Sequence, residues 1–166
     1  MSDQQVQILL VEDNPNDIKL ALHAFKMHHL ANDVHVVRDG AEALEFIFAT
    51  GRYSDRDVAA GPKLILLDLK LPLVDGIEVL RQIKAGQKSC LTPVVVMTSS
   101  NEERDMVESY KLGVNSYIRK PVDFNQFTEA VRQLGYYWLL LNEVPPQKPL
   151  VAAGYVDSTS PDPAAC

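Results

Sequence analysis

VQILLVEDNPND, residues 6–17, sets the pattern that the rest of the chain repeats. Val6 to Val11 is a strand-sized apolar run, and two acids, Glu12 and Asp13, follow it directly. Asn14-Pro15 then supplies a capping side chain and a proline suited to a first helical position, so a helix is expected to begin there. The same order of strand and then polar group recurs three times. Leu64 to Leu67 (LILL) leads into Asp68, Val94 to Met97 (VVVM) into Thr98, and Ser116 to Ile118 (SYI) into Lys120-Pro121; Val34 to Val37 (VHVV) reads as a fifth strand. Such near-continuous apolarity points to strands buried on both faces, as in a parallel sheet. Polar groups that follow parallel strands gather at one edge of the sheet, where function is expected.

Helical spacing fills the intervals. Ile18, Leu22 and Phe25, then Ala41, Leu44, Glu45 and Phe48, then Ile77, Leu80, Ile83 and Lys84 recur at steps of three and four; Val107, Tyr110 and Lys111 give a weaker fourth helix. Asp39-Gly40 and Asp75-Gly76 mark helix starts, and Gly113 with Asn115 ends the fourth helix. The alternation predicts an α/β, doubly wound five-stranded parallel sheet with five helices and right-handed crossovers. Residues 50–62 (TGRYSDRDVAAGP) are polar, turn-forming and long for a helix-to-strand link, and are expected as a mobile surface loop.

The last helix carries Phe124, Phe127, Val131, Leu134, Trp138 and Leu141 on one stripe. From Tyr136 to Leu141 (YYWLLL) every residue is apolar, which leaves Tyr136, Leu139 or Leu140 uncovered by the sheet. Either the tail folds back over them or the helix self-associates. After Asn142 the composition becomes proline-rich, so residues 1–142 are read as one domain and 143–166 as a largely disordered tail.

Composition narrows the classes. A length of 166 residues suits one domain, leaving no room for a second catalytic or DNA-binding one, and a formal charge of −6 without any basic run disfavours nucleic acid. The opening MSDQQVQILL lacks the features of a signal peptide and the apolar runs are too short to span a bilayer, so a soluble, cytoplasmic protein with no membrane partner is expected. Cys90 and Cys166 lack metal-type spacing and are read as free thiols. His23, His28, His29 and His35 include no pair placed as metal ligands.

The sheet-edge groups suit one chemistry. Asp68 is the natural nucleophile toward an activated phosphoryl group, while Glu12 and Asp13, with Asp68, can hold Mg²⁺, which prefers a few carboxylate oxygens plus phosphate oxygens and water. Thr98 can donate to a phosphoryl oxygen and Lys120 can offset its charge. Each group alone has a plainer reading: an acid pair at a helix start, a helix-capping threonine, a solvated lysine. Their combination is what points to an aspartate that becomes phosphorylated.

In order and spacing, Glu12-Asp13, Asp68 within LLDLKLPLVDG, Thr98-Ser99 and Lys120-Pro121 resemble the motifs of two-component response regulator receiver domains. The loop before the third strand, VVVMTSS, YIRKPVDFNQF and the aromatic end of the last helix look like the small single-domain regulators paired with cyanobacterial and bacterial phytochromes. The resemblance implies a flavodoxin-like receiver fold with strand order 2-1-3-4-5. It implies a phosphoacceptor, not an enzyme acting on others: Asp68 takes a phosphoryl group from a sensor histidine kinase, with Mg²⁺ held by Glu12, Asp13, Asp68 and the backbone carbonyl of Lys70. Lys120 contacts the phosphoryl group, Thr98 shifts toward it, and Tyr117 occupies the aromatic switch position. Signalling then leaves by protein contact, as a homodimer through the fourth helix, fifth strand and last helix, with Tyr136, Tyr137 and Leu140 at the interface. One departure is Lys70, where many receivers carry a small amide; its side chain is expected to place a positive charge near the mouth of the site.

Two other classes compete. A flavin-binding module on the same architecture needs neutral donors after the first strand, where this chain has VEDNPND, and an aspartyl phosphatase typically needs a second acid at position 70. A phosphorylation-independent dimeric interaction module remains the alternative that the sequence leaves open.

Overall fold

The computed structural model describes residues 6–30, 33–121 and 123–145. β1 (Ile8–Val11) is the second strand of a sheet with order β2-β1-β3-β4-β5, where β2 is Val34–Val37, β3 Leu64–Leu67, β4 Val94–Thr98 and β5 Ser116–Arg119, every pair parallel. The expected doubly wound sheet and its order are therefore present. Parallel neighbours cannot be joined by tight turns, and the helices α1 (Pro15–Met27), α2 (Gly40–Phe48), α3 (Gly76–Ala85), α4 (Glu103–Lys111) and α5 (Phe124–Gly135) make the crossings.

Side chains that alternate along each strand divide the core in two. Leu9, Val11, Ile65, Leu67, Val94 and Val96 pack with α2 and α3 on one face. Ile8, Leu10, Leu64, Leu66, Val95 and Met97 pack with α1 and α5 on the other. All of β1, β3 and β4 is buried, whereas the edge strands β2 and β5 are only partly so.

The caps expected from sequence form. Asn14 accepts from the Asn16 and Asp17 N–H groups, Asp39 from Glu42, and Asp75 from Ile77. At the start of α3, a Cβ on Gly76 would come within 2.4 Å of the Asp68 carbonyl oxygen, so only glycine lets this helix begin directly beneath the Asp68 loop.

Several helix faces differ from the expected ones. α2 buries Gly40, Ala43, Phe46 and Ile47 rather than the Ala41, Leu44, Glu45 and Phe48 stripe, because the helix starts at Gly40 with that side against the sheet. α1 buries Ala21 and Ala24 beside Ile18 and Phe25 and leaves Leu22 at the surface, since small residues let α5 approach closely. In α4, Val107 and Tyr110 are exposed and only Ser109 is fully buried, so its apolar spacing is a surface feature.

In the last helix, Phe127, Val131 and Leu134 are buried as expected, but Phe124 at its first turn is exposed. Residues Tyr136–Leu141 continue α5 as a π-helical turn, closed by the Asn142 N–H on the Tyr137 carbonyl. The wider turn advances the stripe, so Trp138 and Leu139 pack on the core and Tyr136, Tyr137, Leu140 and Leu141 face outward.

Residues 50–62, expected as a mobile loop, are folded into two 3₁₀ turns, Gly51–Tyr53 and Val58–Ala60. Arg56 stacks 3.6 Å over the Phe46 ring and donates to the Phe46 carbonyl, while the Tyr53 hydroxyl donates to Glu42. Cys90 is disulfide-bonded, not the free thiol expected. Cys166 and most of the tail read as disordered, residues 146–166, lie outside the described residues. No helix among the described residues is long and apolar enough to cross a membrane.

Candidate functional site

The site is built at the C-terminal ends of β1, β3, β4 and β5. Glu12 and Asp13 leave β1 just before α1 begins, and Asp68 follows β3 at the centre of the sheet. Carboxylate oxygens of Glu12, Asp13 and Asp68 lie within 4.8 Å of one another. Glu12 and Asp68 are buried and Asp13 is exposed, so the cluster has a closed side and an open one.

Lys120, reaching in from the end of β5, is the cation of the site. Its ammonium donates to Glu12 Oε2 at 2.5 Å, Asp17 Oδ2 at 2.8 Å and Asp68 Oδ2 at 3.0 Å. An ammonium has three N–H donors, and all three are used. The Lys120 side chain is 9% exposed, too little for water to replace a lost partner. The second oxygens of Glu12 and Asp68 are also engaged: Glu12 Oε1 accepts the Asn14 N–H at 3.1 Å and Asp68 Oδ1 the Lys70 N–H at 3.2 Å.

Three carboxylates, Glu12, Asp17 and Asp68, share one ammonium, and this unbalances the charge. Burial pushes the Glu12 carboxyl up to about 7, with Asp68 adding to the rise and the Lys120 hydrogen bond opposing it. Lys120 is held above the ordinary lysine range: burial alone would lower it, and the bonds to Asp17 and Glu12 outweigh that.

Glu12 therefore has a signed effect on stability. The folded state binds a proton here that the unfolded chain, near 4.5, has lost, so stability falls as pH rises from about 4.5 to about 7. The full cost above that window is of order 3 kcal/mol, the equivalent of raising a carboxyl from 4.5 to about 7. His35 acts oppositely below pH 6.5, because burial lowers it. The comparison that isolates Glu12 is thus urea unfolding of the parent against Glu12→Gln without divalent metal. The advantage of the variant is expected to grow from near zero at pH 4.5 toward that cost at pH 8, and a pH-independent difference would sink the charge-imbalance account.

Thr98 is fully buried, its Oγ1 accepting the Ser100 N–H at 3.2 Å. Ser100 Oγ in turn donates to Asp105 Oδ2 at 2.6 Å, which ties the loop after β4 to α4. The Tyr117 hydroxyl on β5 is buried with no hydrogen-bond partner among the described residues. Lys70, expected to place a positive charge near the mouth of the site, has its ammonium turned toward α4, 3.5 Å from Glu102 and 3.7 Å from Asp105. Tyr136, Tyr137 and Leu140 are exposed near the far end of α5 and take no part in this cluster.

Glu12, Asp13, Asp68 and Lys120 are thus brought together, with Thr98 at the end of the neighbouring strand. The residue that sequence reasoning missed is Asp17. Its place in the first turn of a helix reads as ordinary dipole compensation, and nothing local signals a lysine 103 residues away. Glu102 and Asp105 as partners of Lys70 were missed for the same reason, being more than thirty residues from it.

A parallel sheet in this order, with acids after the first and third strands, a hydroxyl at the fourth and a lysine after the fifth, defines a receiver-type signalling domain. The chain belongs to that family: residues 8–132 match the response regulator receiver domain. Response regulator Rcp1 of Synechocystis sp. is 38% identical over 132 residues, covering 80% of this chain and 88% of Rcp1, and the structure of its Mn²⁺-bound form superposes with a TM-score of 0.78. The phosphorylated cyanobacterial phytochrome response regulator RcpA is 39% identical with a TM-score of 0.79, covering 85% of this chain and 99% of that one. The bacteriophytochrome response regulator AtBRR is 51% identical with a TM-score of 0.65, covering 84% and 99%. The protein is therefore a response regulator with a receiver domain, similar to regulators of the phytochrome type.

Proposed function

We propose that this receiver, residues 1–142, accepts a phosphoryl group on Asp68 from a sensor histidine kinase of the phytochrome class, as a cytoplasmic phosphoacceptor rather than an enzyme acting on other substrates. The observation that carries the reading is the Lys120 ammonium bonded to Asp68 and Glu12 within one acidic cluster. A carboxylate oxygen of Asp68 attacks phosphorus, the P–N bond of the phosphohistidine breaks, and the imidazole leaves as the acyl phosphate forms.

The all-oxygen donor set fits Mg²⁺: Asp13, Asp68 and the Lys70 backbone carbonyl would hold it, with Glu12 directly or through water. When bound, Mg²⁺ offsets negative charge on the transferring phosphoryl oxygens. Lys120 pairs with the new phosphoryl group and Thr98 donates to it. Both contacts exist only in the phosphorylated arrangement, so they bias the loop after β4 and, through Ser100 and Asp105, the start of α4. The buried Tyr117 hydroxyl beside that loop is the switch that follows. Output is by protein contact, as a homodimer through α4, β5 and α5, where Tyr110, Tyr136, Tyr137 and Leu140 are exposed.

The test is intact mass after incubation with Mg²⁺ and acetyl phosphate, with sedimentation on the same samples. One phosphoryl adduct that requires Mg²⁺ is expected, with a shift toward dimer. Absence of an adduct with both acetyl phosphate and phytochrome kinases would return the reading to a phosphorylation-independent module, and a monomer in every state would remove the dimer. The decay of the adduct also tests the expectation that the Lys70 charge alters attack by water. Lys70→Asn is expected to change the decay rate, and equal rates would remove that role.

A further inference from the structure

We propose that Asp17 is a positioning residue that keeps Lys120 in the site while Glu12 and Asp68 are given over to the metal, an inference that rests on the phosphoacceptor reading above. Of the three carboxylates bonded to the Lys120 ammonium, Glu12 and Asp68 belong to the cluster that can hold a divalent cation, and Asp17 does not. A divalent cation and an ammonium compete for the same oxygens and repel each other at short range. Metal entry therefore displaces Lys120 from part of its anchorage. An ammonium 9% exposed cannot be rehydrated in place, so it must keep a carboxylate partner.

Asp17 is placed to be that partner. It lies in the first turn of α1, where its own N–H is bonded to the capping side chain of Asn14 and Pro15 fixes the preceding backbone. Its carboxylate is 26% exposed, at the rim of the cluster and not within it. An ammonium that pivots on Asp17 can release Glu12 and Asp68 to the metal and remain within reach of a phosphoryl oxygen. Without Asp17, every carboxylate left to Lys120 is one the metal also requires, and metal binding opposes the lysine outright.

The experiment is calorimetric titration of the full chain with Mg²⁺, and with Mn²⁺ as a second probe, in the absence of any phosphoryl donor. Asp17→Asn is expected to weaken metal binding about ten-fold, within the range seen when groups that orient a metal site are removed. Asp17→Glu should recover part of the loss. In acetyl phosphate reactions the same variant should require more Mg²⁺ for half-maximal rate while approaching the parent rate at saturation. A Lys120→Met background separates positioning from bulk charge: the Asp17→Asn effect should vanish there, and an undiminished effect would overturn the proposal.

A lower melting temperature with unchanged metal affinity would reduce Asp17 to a helix-start acid and likewise overturn it. If the parent itself binds neither Mg²⁺ nor Mn²⁺, the phosphoacceptor reading fails first. Parent binding with equal binding by Asp17→Asn removes only the role of Asp17.

Discussion

Asp68→Ala is expected to yield no phosphoryl adduct at any concentration of Mg²⁺ or acetyl phosphate, while the protein remains folded. Asp68 has two carboxylate neighbours, Glu12 and Asp13, so acidity alone does not single it out. Position does. Asp68 stands after the central strand β3, with Lys120 on one oxygen and the Lys70 N–H on the other, and β4 places Thr98 on the adjacent strand. Glu12 follows β1, which is not a neighbour of β4 and its Thr98, and Asp13 lies on the exposed side. The fold should survive because Lys120 keeps Glu12 and Asp17, and loss of one shared hydrogen bond is worth about 1–2 kcal/mol. Intact mass with peptide mapping checks the first part and urea unfolding the second. An adduct found on Asp13 in the variant would move the nucleophile elsewhere.

Lys120→Met is expected to destabilise the metal-free protein by about 3–5 kcal/mol at pH 8, the usual cost of leaving buried charge without its partner. The substitution keeps the length of the side chain and removes the only cation among the described residues bonded to Glu12, Asp17 and Asp68. The loss should shrink toward pH 5, because the raised Glu12 carboxyl takes a proton first. It should also shrink with Mg²⁺, because the variant lacks the ammonium that competes for Glu12 and Asp68 and so gains more than the parent from metal binding to the folded state. Urea midpoints measured with and without Mg²⁺ at both pH values decide it. A variant as stable as the parent without metal would show that the carboxylates do not depend on this ammonium.

The parts of this molecule legible in its sequence share a short range. The five strands were placed almost to the residue, because buried parallel strands are continuous apolar runs bounded by polar groups. The helix starts at Asn14, Asp39 and Asp75 were legible because a cap and the N–H it accepts lie two or three residues apart. Helix faces were less so: α2 has apolar residues on two sides, and which side is buried depends on how the helix docks. The π-helical turn at the end of α5 moved Leu141 out of the core and Leu139 toward it, a shift that a constant 3.6-residue period cannot anticipate.

By itself the sequence determined the strands, the kind of fold and the identity of Glu12, Asp13, Asp68, Thr98 and Lys120, since each is announced by the apolar run it follows. Tertiary structure alone decided how those groups spend their charge. Lys120 bonds to Glu12 across 108 residues and to Asp17 across 103, and the Lys70 side chain turns from the cluster to Glu102 and Asp105. Such pairings depend on which strand ends become neighbours and how far a side chain reaches across them. Burial then fixes which carboxylate carries the excess charge, and no local pattern encodes that.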